Sequence, residues 1–186
     1  MNEDNDPARR RLAAIYDQHH RQVHAYALSR AGGTLADDVV SETFLVAWRR
    51  FGELPADPLP WLLGIARRVI FSGYRKEARQ ASIAAQMQVW VQEATRDVAE
   101  GVAEKAATLM ALAQLSDQDR ELLTLLAWHG LSAAEAAKVI GCSRATLFVR
   151  LHRARKRYEQ AIADAERSPS TRPRRVIDGP RTAQAR

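Results

Sequence analysis

Residues 132–143, SAAEAAKVIGCS, mark the start and end of one helix and the start of the next. Ser132 and Glu135 have the spacing of a capping box, in which each side chain satisfies the other residue's orphan amide at a helix start. Gly141 supplies the left-handed residue that ends a helix, and Ser143 can cap a second one. The small Ala133, Ala134, Ala136 and Ala137 allow close approach of the two. Two helices joined by a short glycine turn, the second of them basic, form the helix-turn-helix arrangement.

Charge and periodicity say what the second helix can face. Residues 141–158, GCSRATLFVRLHRARKRY, carry six Lys and Arg side chains and no acid. At 100° per residue, Leu147, Leu151, Ala154 and Tyr158 fall on one side, which is core. Ala145, Phe148, Val149, His152, Arg153 and Lys156 fall on the other and face outward, with Ser143 and Arg144 at the helix start. An outward Phe and Val beside Arg and His suit a DNA major groove, where Arg can bond guanine O6 and N7 and apolar groups can meet thymine methyls. The pattern alone also fits a solvated basic helix with core on one side. Upstream, Ser116 can cap a helix whose first turns hold Asp117, Asp119 and Glu121, with Leu122, Leu123, Leu125 and Leu126 as its apolar face. Trp128 and His129 precede Gly130, and His129 reads as a loop residue.

Apolar residues recur at three and four throughout the 186 residues, with no sustained alternation, so the fold class is all-α. The organisation reads as a flexible N-terminus over 1–11, a helical domain over 12–79, a linker over 80–109, a second helical domain over 110–162, and a disordered basic tail over 163–186. The linker is polar and alanine-rich, and the tail is broken by Pro169, Pro173 and Pro180. A net charge of +6 fits a polyanionic partner. Cys142 stands alone, which excludes an internal disulfide and a multi-cysteine zinc site and fits a reducing, cytoplasmic compartment. The start, MNEDNDPARRR, is polar and no apolar run approaches ~18 residues, so neither a signal peptide nor membrane insertion is expected.

The N-terminal domain offers a second candidate surface. In LADDVVSETFLVAWRRF, Val40, Phe44, Ala47, Trp48 and Phe51 share one side of a helix, with Asp37 and Asp38 near its N-terminus. After the proline-rich GELPADPLP comes WLLGIARRVIFSGYRKEARQ, with Pro60 at the helix start and Leu62, Ile65, Ala66, Val69 and Ile70 as the buried stripe. Arg67, Arg68, Phe71, Ser72 and Arg75 are left toward solvent. Cations for phosphates and a flat ring for an unstacked base are what single-stranded nucleic acid requires. Local packing of Phe71 with solvated arginines is the competing reading. In the first helix, Asp17, His19, His20 and His24 invite a metal, but a helix with Ile15, Val23, Ala27 and Leu28 as core accounts for them, and no metal is expected.

LSDQDRELLTLLAWHGLSAAEAAKVIGCSRATLFVRLHRARKR resembles conserved region 4 of the extracytoplasmic-function (group 4) sigma factors of bacterial RNA polymerase. LADDVVSETFLVAWRRF is similar to their region 2.2, and WLLGIARRVIFSGYRKEARQ to regions 2.3 and 2.4. The resemblance implies that the region 4 recognition helix reads the promoter −35 element and that Asp38, Ser41, Glu42 and Leu45 dock on the clamp helices of the polymerase β′ subunit. It further implies that Trp61, Arg67, Arg68, Phe71, Ser72 and Arg75 hold the melted −10 element. Arg68 stands where the family often has Asn, and Ser72 where it often has Asp, so the −10 base preference stays open. The implied partners are core RNA polymerase, through the β′ clamp helices and the β flap, promoter DNA, and an anti-sigma factor. A helix-turn-helix regulator with an N-terminal ligand or dimerisation domain is the alternative. No lysine follows a glycine, so a Walker A loop is absent, and no nucleophile cluster suggests an enzyme or a cofactor.

Overall fold

The computed structural model describes residues 7–73, 108 and 110–167. Six named helices organise them: α1 (Pro7–Ala31), α2 (Gly33–Arg49), α3 (Leu59–Gly73), α4 (Asp117–Ala127), α5 (Ala133–Ile140) and α6 (Arg144–Arg167). A single 3₁₀ turn, Phe51–Glu53, follows α2, and residues 110–114 are helical ahead of α4. No strand occurs among the described residues. The linker at 80–109 lies outside them apart from residue 108, as do Arg75 and the tail beyond Arg167.

Helices α1, α2 and α3 pack on one another, and they bury Val23, Tyr26, Ala27, Val39, Phe44, Leu62, Ile65 and Ala66. Leu63 is fully buried as well, on the side of α3 away from the expected stripe. Besides α1 and α2 of its own domain, α3 packs on α5 of the second. One continuous apolar core therefore runs from Ile15 through Leu63 to Val139, Leu147 and Leu151. Two domains were expected side by side on a linker. They are instead in direct contact.

Local chemistry sets the second domain. Ser116 Oγ accepts from the Asp119 amide and starts α4. Ser132 and Glu135 form the complete capping box of α5, and Gly141 ends it at φ 77°, ψ 41°. Ser143 Oγ accepts from the Thr146 amide and caps α6. Arg120, almost fully buried, donates to the carbonyls of Leu112, Ala113 and Leu115 and so satisfies the C-terminal end of the preceding helical turn.

Several boundaries differ from expectation. α1 begins at Pro7, so residues 7–11, expected to be flexible, form its first turn, where proline's missing N–H is not needed. α6 continues to Arg167, so residues 163–167 of the expected tail are helical, tied by Arg167 to the Ala163 carbonyl and the Asp164 carboxylate. No acid lies in the first turn of α2. Asp37 and Asp38 sit further along it, and Asp37 approaches His24 at 3.3 Å. Trp48 is not core. It is 37% exposed and lines a surface groove with Leu12, Tyr16 and Phe44.

The turn between α5 and α6 depends on a left-handed residue, a conformation that a side chain disfavours by about 1–2 kcal/mol. Gly141→Ala is expected to lower stability to urea by about that amount. Gly52→Ala, at a position with open space and an ordinary φ, is expected to stay within about 0.5 kcal/mol of the parent.

Candidate nucleic-acid interface

The outward face of α6 is built from its core side. Leu147 and Ala154 are fully buried and Leu151 nearly so, which fixes the helix rotation. Ser143, Arg144, Ala145, His152 and Lys156 are then exposed, and Phe148 and Val149 each keep 52% of their surface open. An apolar pair held out of a core that had room for Leu147 is the feature that separates this face from a merely solvated one. Arg153 is also exposed but sits on the flank of this face. With Arg150 and Arg157 it lines a cleft of about 400 Å³ whose other walls are Ser116, Asp119, Glu121 and Arg67 of α3. Arg157 Nη1 donates to Asp119 at 2.7 Å.

On α3 the expected basic face divides in two. Arg68, Phe71 and Ser72 are exposed as expected, with Phe71 at 41%. Ser72 Oγ donates to the Arg68 carbonyl at 2.8 Å, so its side chain is partly occupied by its own helix. Trp61 is half-buried against the core. Arg67 is corrected: it does not point to solvent. Its Nε donates to Glu121 Oε1 at 2.9 Å, because α4 approaches α3 at this point, and its guanidinium also lies over the Phe71 ring, 4.6 Å from the centroid.

Glu121 is the residue that sequence reasoning missed. It was read as a helix-start acid, yet its side chain is 2% exposed. It accepts from the Tyr26 hydroxyl at 2.6 Å and from Arg67, and Arg30 stands 3.7 Å away. Arg30 also donates to the Asp117 carbonyl. Burial first, and then the Glu121 charge, push the Tyr26 phenol well above its ordinary range, so it stays protonated and donates. An acid directly before Leu122 and one helical turn before Leu125 is the only signal in the sequence. Its partners lie 54 to 95 positions away.

Four residues of α2 are the ones expected to dock on polymerase. Asp38, Ser41 and Leu45 are exposed and Glu42 is half-buried. Glu42 lines a groove of about 410 Å³ together with Ile65, Arg68 and Ser72, so the residues assigned to polymerase and to DNA meet along one seam between α2 and α3. The histidines do not converge. His20 stacks on Tyr16 with centroids 5.0 Å apart, His24 faces Asp37, and His19 is buried beside Gln22. No cluster able to hold a metal occurs among the described residues.

Comparison with known proteins places both segments in one family. The family description Sigma-70 region 2 matches residues 15–80, and Sigma-70, region 4 matches residues 105–157. The ECF RNA polymerase sigma factor SigL of Mycobacterium tuberculosis is 30% identical over 147 residues, which are 76% of this chain and 82% of SigL. The chain belongs to the ECF sigma factors. A further relative, the sigma factor BldN of Streptomyces coelicolor, is 31% identical over 160 residues, and this sigma factor spans 61% of its length. Among solved structures, the sigma factor RpoE of Bartonella quintana, in complex with the anti-sigma factor NepR, is similar at a TM-score of 0.58 with 25% identity, over 81% of this chain and 96% of RpoE. CnrH in complex with the cytosolic domain of CnrY is similar at 0.57 with 26% identity, over 85% of this chain and 90% of CnrH. The region 2 match covers α2 and α3 of this sigma factor, and replaces the alternative of an N-terminal ligand or dimerisation domain.

The contact between the two regions carries a titratable group. The His129 ring meets Tyr26 edge-on at 5.8 Å, and burial holds its imidazole below the ordinary value. As pH falls through the unfolded value near 6.5, the unfolded chain takes up a proton that the folded chain resists. Stability is therefore expected to fall between pH 7.5 and 5.5 more steeply in the parent than in His129→Gln, as read by thermal melting of both across that range.

Proposed function

We infer that this sigma factor joins core RNA polymerase, directs it to promoters with two separated elements, and helps open the DNA between them. The observation that carries the reading is the pairing of two unlike nucleic-acid surfaces on one chain. One is a capped recognition helix with Phe148 and Val149 held outward among His152, Arg153 and Lys156. The other is the Arg68, Phe71 and Ser72 face of α3.

The first surface suits the −35 duplex. Ser143, Arg144 and Ala145 enter the major groove at the helix start, Phe148 and Val149 meet thymine methyls, His152 and Arg153 reach base edges, and Lys156 takes a phosphate. The second suits the −10 element as a single strand. Arg67, Arg68 and Arg75 neutralise phosphates, Phe71 stacks on a base, and Trp61 and Ser72 border the strand. The complex spends no nucleotide to open DNA by this chain's action. Holding bases on protein offsets the few kcal/mol of unstacking each one. The chain acts by binding alone, as a transcription initiation factor and not as an enzyme, in the cytoplasm where polymerase and promoters are. No helix among the described residues is long and apolar enough to cross a membrane.

Asp38, Ser41, Glu42 and Leu45 form the face offered to the β′ clamp helices, with acids to complement basic groups and Leu45, 42% exposed, as the apolar anchor. The β flap receives region 4. An anti-sigma factor is a further partner of this chain, as in the complex of RpoE with NepR.

Replacing Asp38 and Glu42 with Arg is expected to abolish association with core polymerase at unchanged helical content, because like charges at a desolvated contact cost several kcal/mol. Affinity equal to the parent's, measured by co-migration with core enzyme, would remove the clamp assignment.

Phe71→Ala is expected to weaken open-complex formation on duplex promoters, since a base stacked on such a ring is worth ~1–3 kcal/mol. Core binding should be normal, and a template mismatched across the −10 element should recover part of the activity. Equal defects on duplex and mismatched templates would return Phe71 to a packing role.

A further inference from the structure

The two nucleic-acid surfaces cannot both be used in the arrangement observed. Elements named −35 and −10 lie about 25 base pairs apart, roughly 85 Å of duplex. A compact body of 186 residues has a radius of gyration of about 16 Å. Here α3 is packed on α5, and Arg67, Arg150, Arg153 and Arg157 line one cleft. The chain must open before it can span a promoter.

What holds it closed is identifiable. The joint is an apolar contact with a charged centre: Glu121 of α4, 2% exposed at its side chain, surrounded by Tyr26 and Arg30 of α1 and Arg67 of α3. A carboxylate at that depth is stable only while paired, so its three partners hold or leave it together. Arg67 is bound through its Nε to a carboxylate oxygen at 2.9 Å, a geometry that a phosphate oxygen would also satisfy.

We propose that Glu121 is an internal latch that occupies Arg67 in place of a −10 strand phosphate, so that closure of the free chain and engagement of the melted strand exclude each other. The DNA half of this statement rests on the reading of Arg67 given above. The closure half stands on the contacts alone. Any ligand that takes Arg67 or separates α3 from α5 opens the chain, and by linkage the closed chain binds that ligand less tightly by the same factor. Free sigma factor is thereby kept from loose single strands, and the strand-binding face becomes available once the polymerase holds the two regions apart.

The test uses the full-length free chain. Glu121→Gln removes the charge, and Tyr26→Phe removes only one hydroxyl with no change in charge or shape. Small-angle X-ray scattering reads closure, and fluorescence anisotropy of a labelled single-stranded DNA 12-mer reads strand binding. Glu121→Gln should raise the radius of gyration by roughly a fifth and tighten oligonucleotide binding about 5- to 10-fold. Tyr26→Phe should move both in the same direction by less, and adding Arg67→Ala to Glu121→Gln should remove the gain in binding. Parent-like size and affinity in both variants would overturn the latch. Expansion without tighter binding would overturn the competition and remove Arg67 from the DNA face. Weaker binding by Arg67→Ala alone, with no expansion in Glu121→Gln or Tyr26→Phe, would leave the DNA reading in place and overturn closure by Glu121.

Discussion

The arrangement of the whole chain turns on one buried carboxylate. Glu121 sits where α1, α3 and α4 meet, and its charge is tolerable there only because Tyr26, Arg30 and Arg67 converge on it. The apolar contact of α3 with α5 supplies area and the non-directional attraction that goes with it. Glu121 supplies geometry, since two directional hydrogen bonds, from Tyr26 and Arg67, and the Arg30 charge 3.7 Å away constrain the register between the two regions. The same contact determines which cations are free. Arg67 is engaged, Arg157 is engaged by Asp119, and Arg68 and Lys156 face outward.

Around that joint, each candidate DNA-binding surface is positioned for its own local reason. Ser132, Glu135, Gly141 and Ser143 settle the backbone of the helix-turn-helix within twelve residues, and Leu147, Leu151 and Ala154 then fix the rotation of α6. Arg120 works from beneath, tying three backbone carbonyls ahead of α4 to the domain. Phe148 and Val149 are exposed as a consequence of that rotation. In α3 the same logic holds with stronger burial: Leu62, Leu63, Ile65 and Ala66 leave only a narrow strip, on which Arg68, Phe71 and Ser72 stand.

Much of this was legible in the sequence because it is local. Caps, the glycine turn and the outward Phe148 and Val149 all follow from spacing within a helix or across one turn. What was not legible depends on residues far apart in the chain. Glu121 looks like an acid at a helix start, and Arg67 looks solvated, until α4 is placed against α3. Trp48 reads as core by periodicity, yet it falls at the rim of the groove between α1 and α2. Leu63 lies off the stripe expected for α3, a helix that packs on α5 as well as on α1 and α2. Pro7 and Arg167 extend the outer helices because helix ends are set by weak local terms that pattern does not resolve.

The central claim is that this chain confers two-element promoter choice on polymerase through the α6 and α3 faces. Its most direct measurement is to transcribe sheared bacterial DNA with core polymerase in the presence and absence of the purified chain and to map the 5′ ends of the transcripts. The account predicts a new set of start sites that share one sequence block near −35 and a second near −10, with the upstream block changed when Phe148 and His152 are replaced. Start sites unchanged by the chain, or a new set sharing no upstream block, would contradict it.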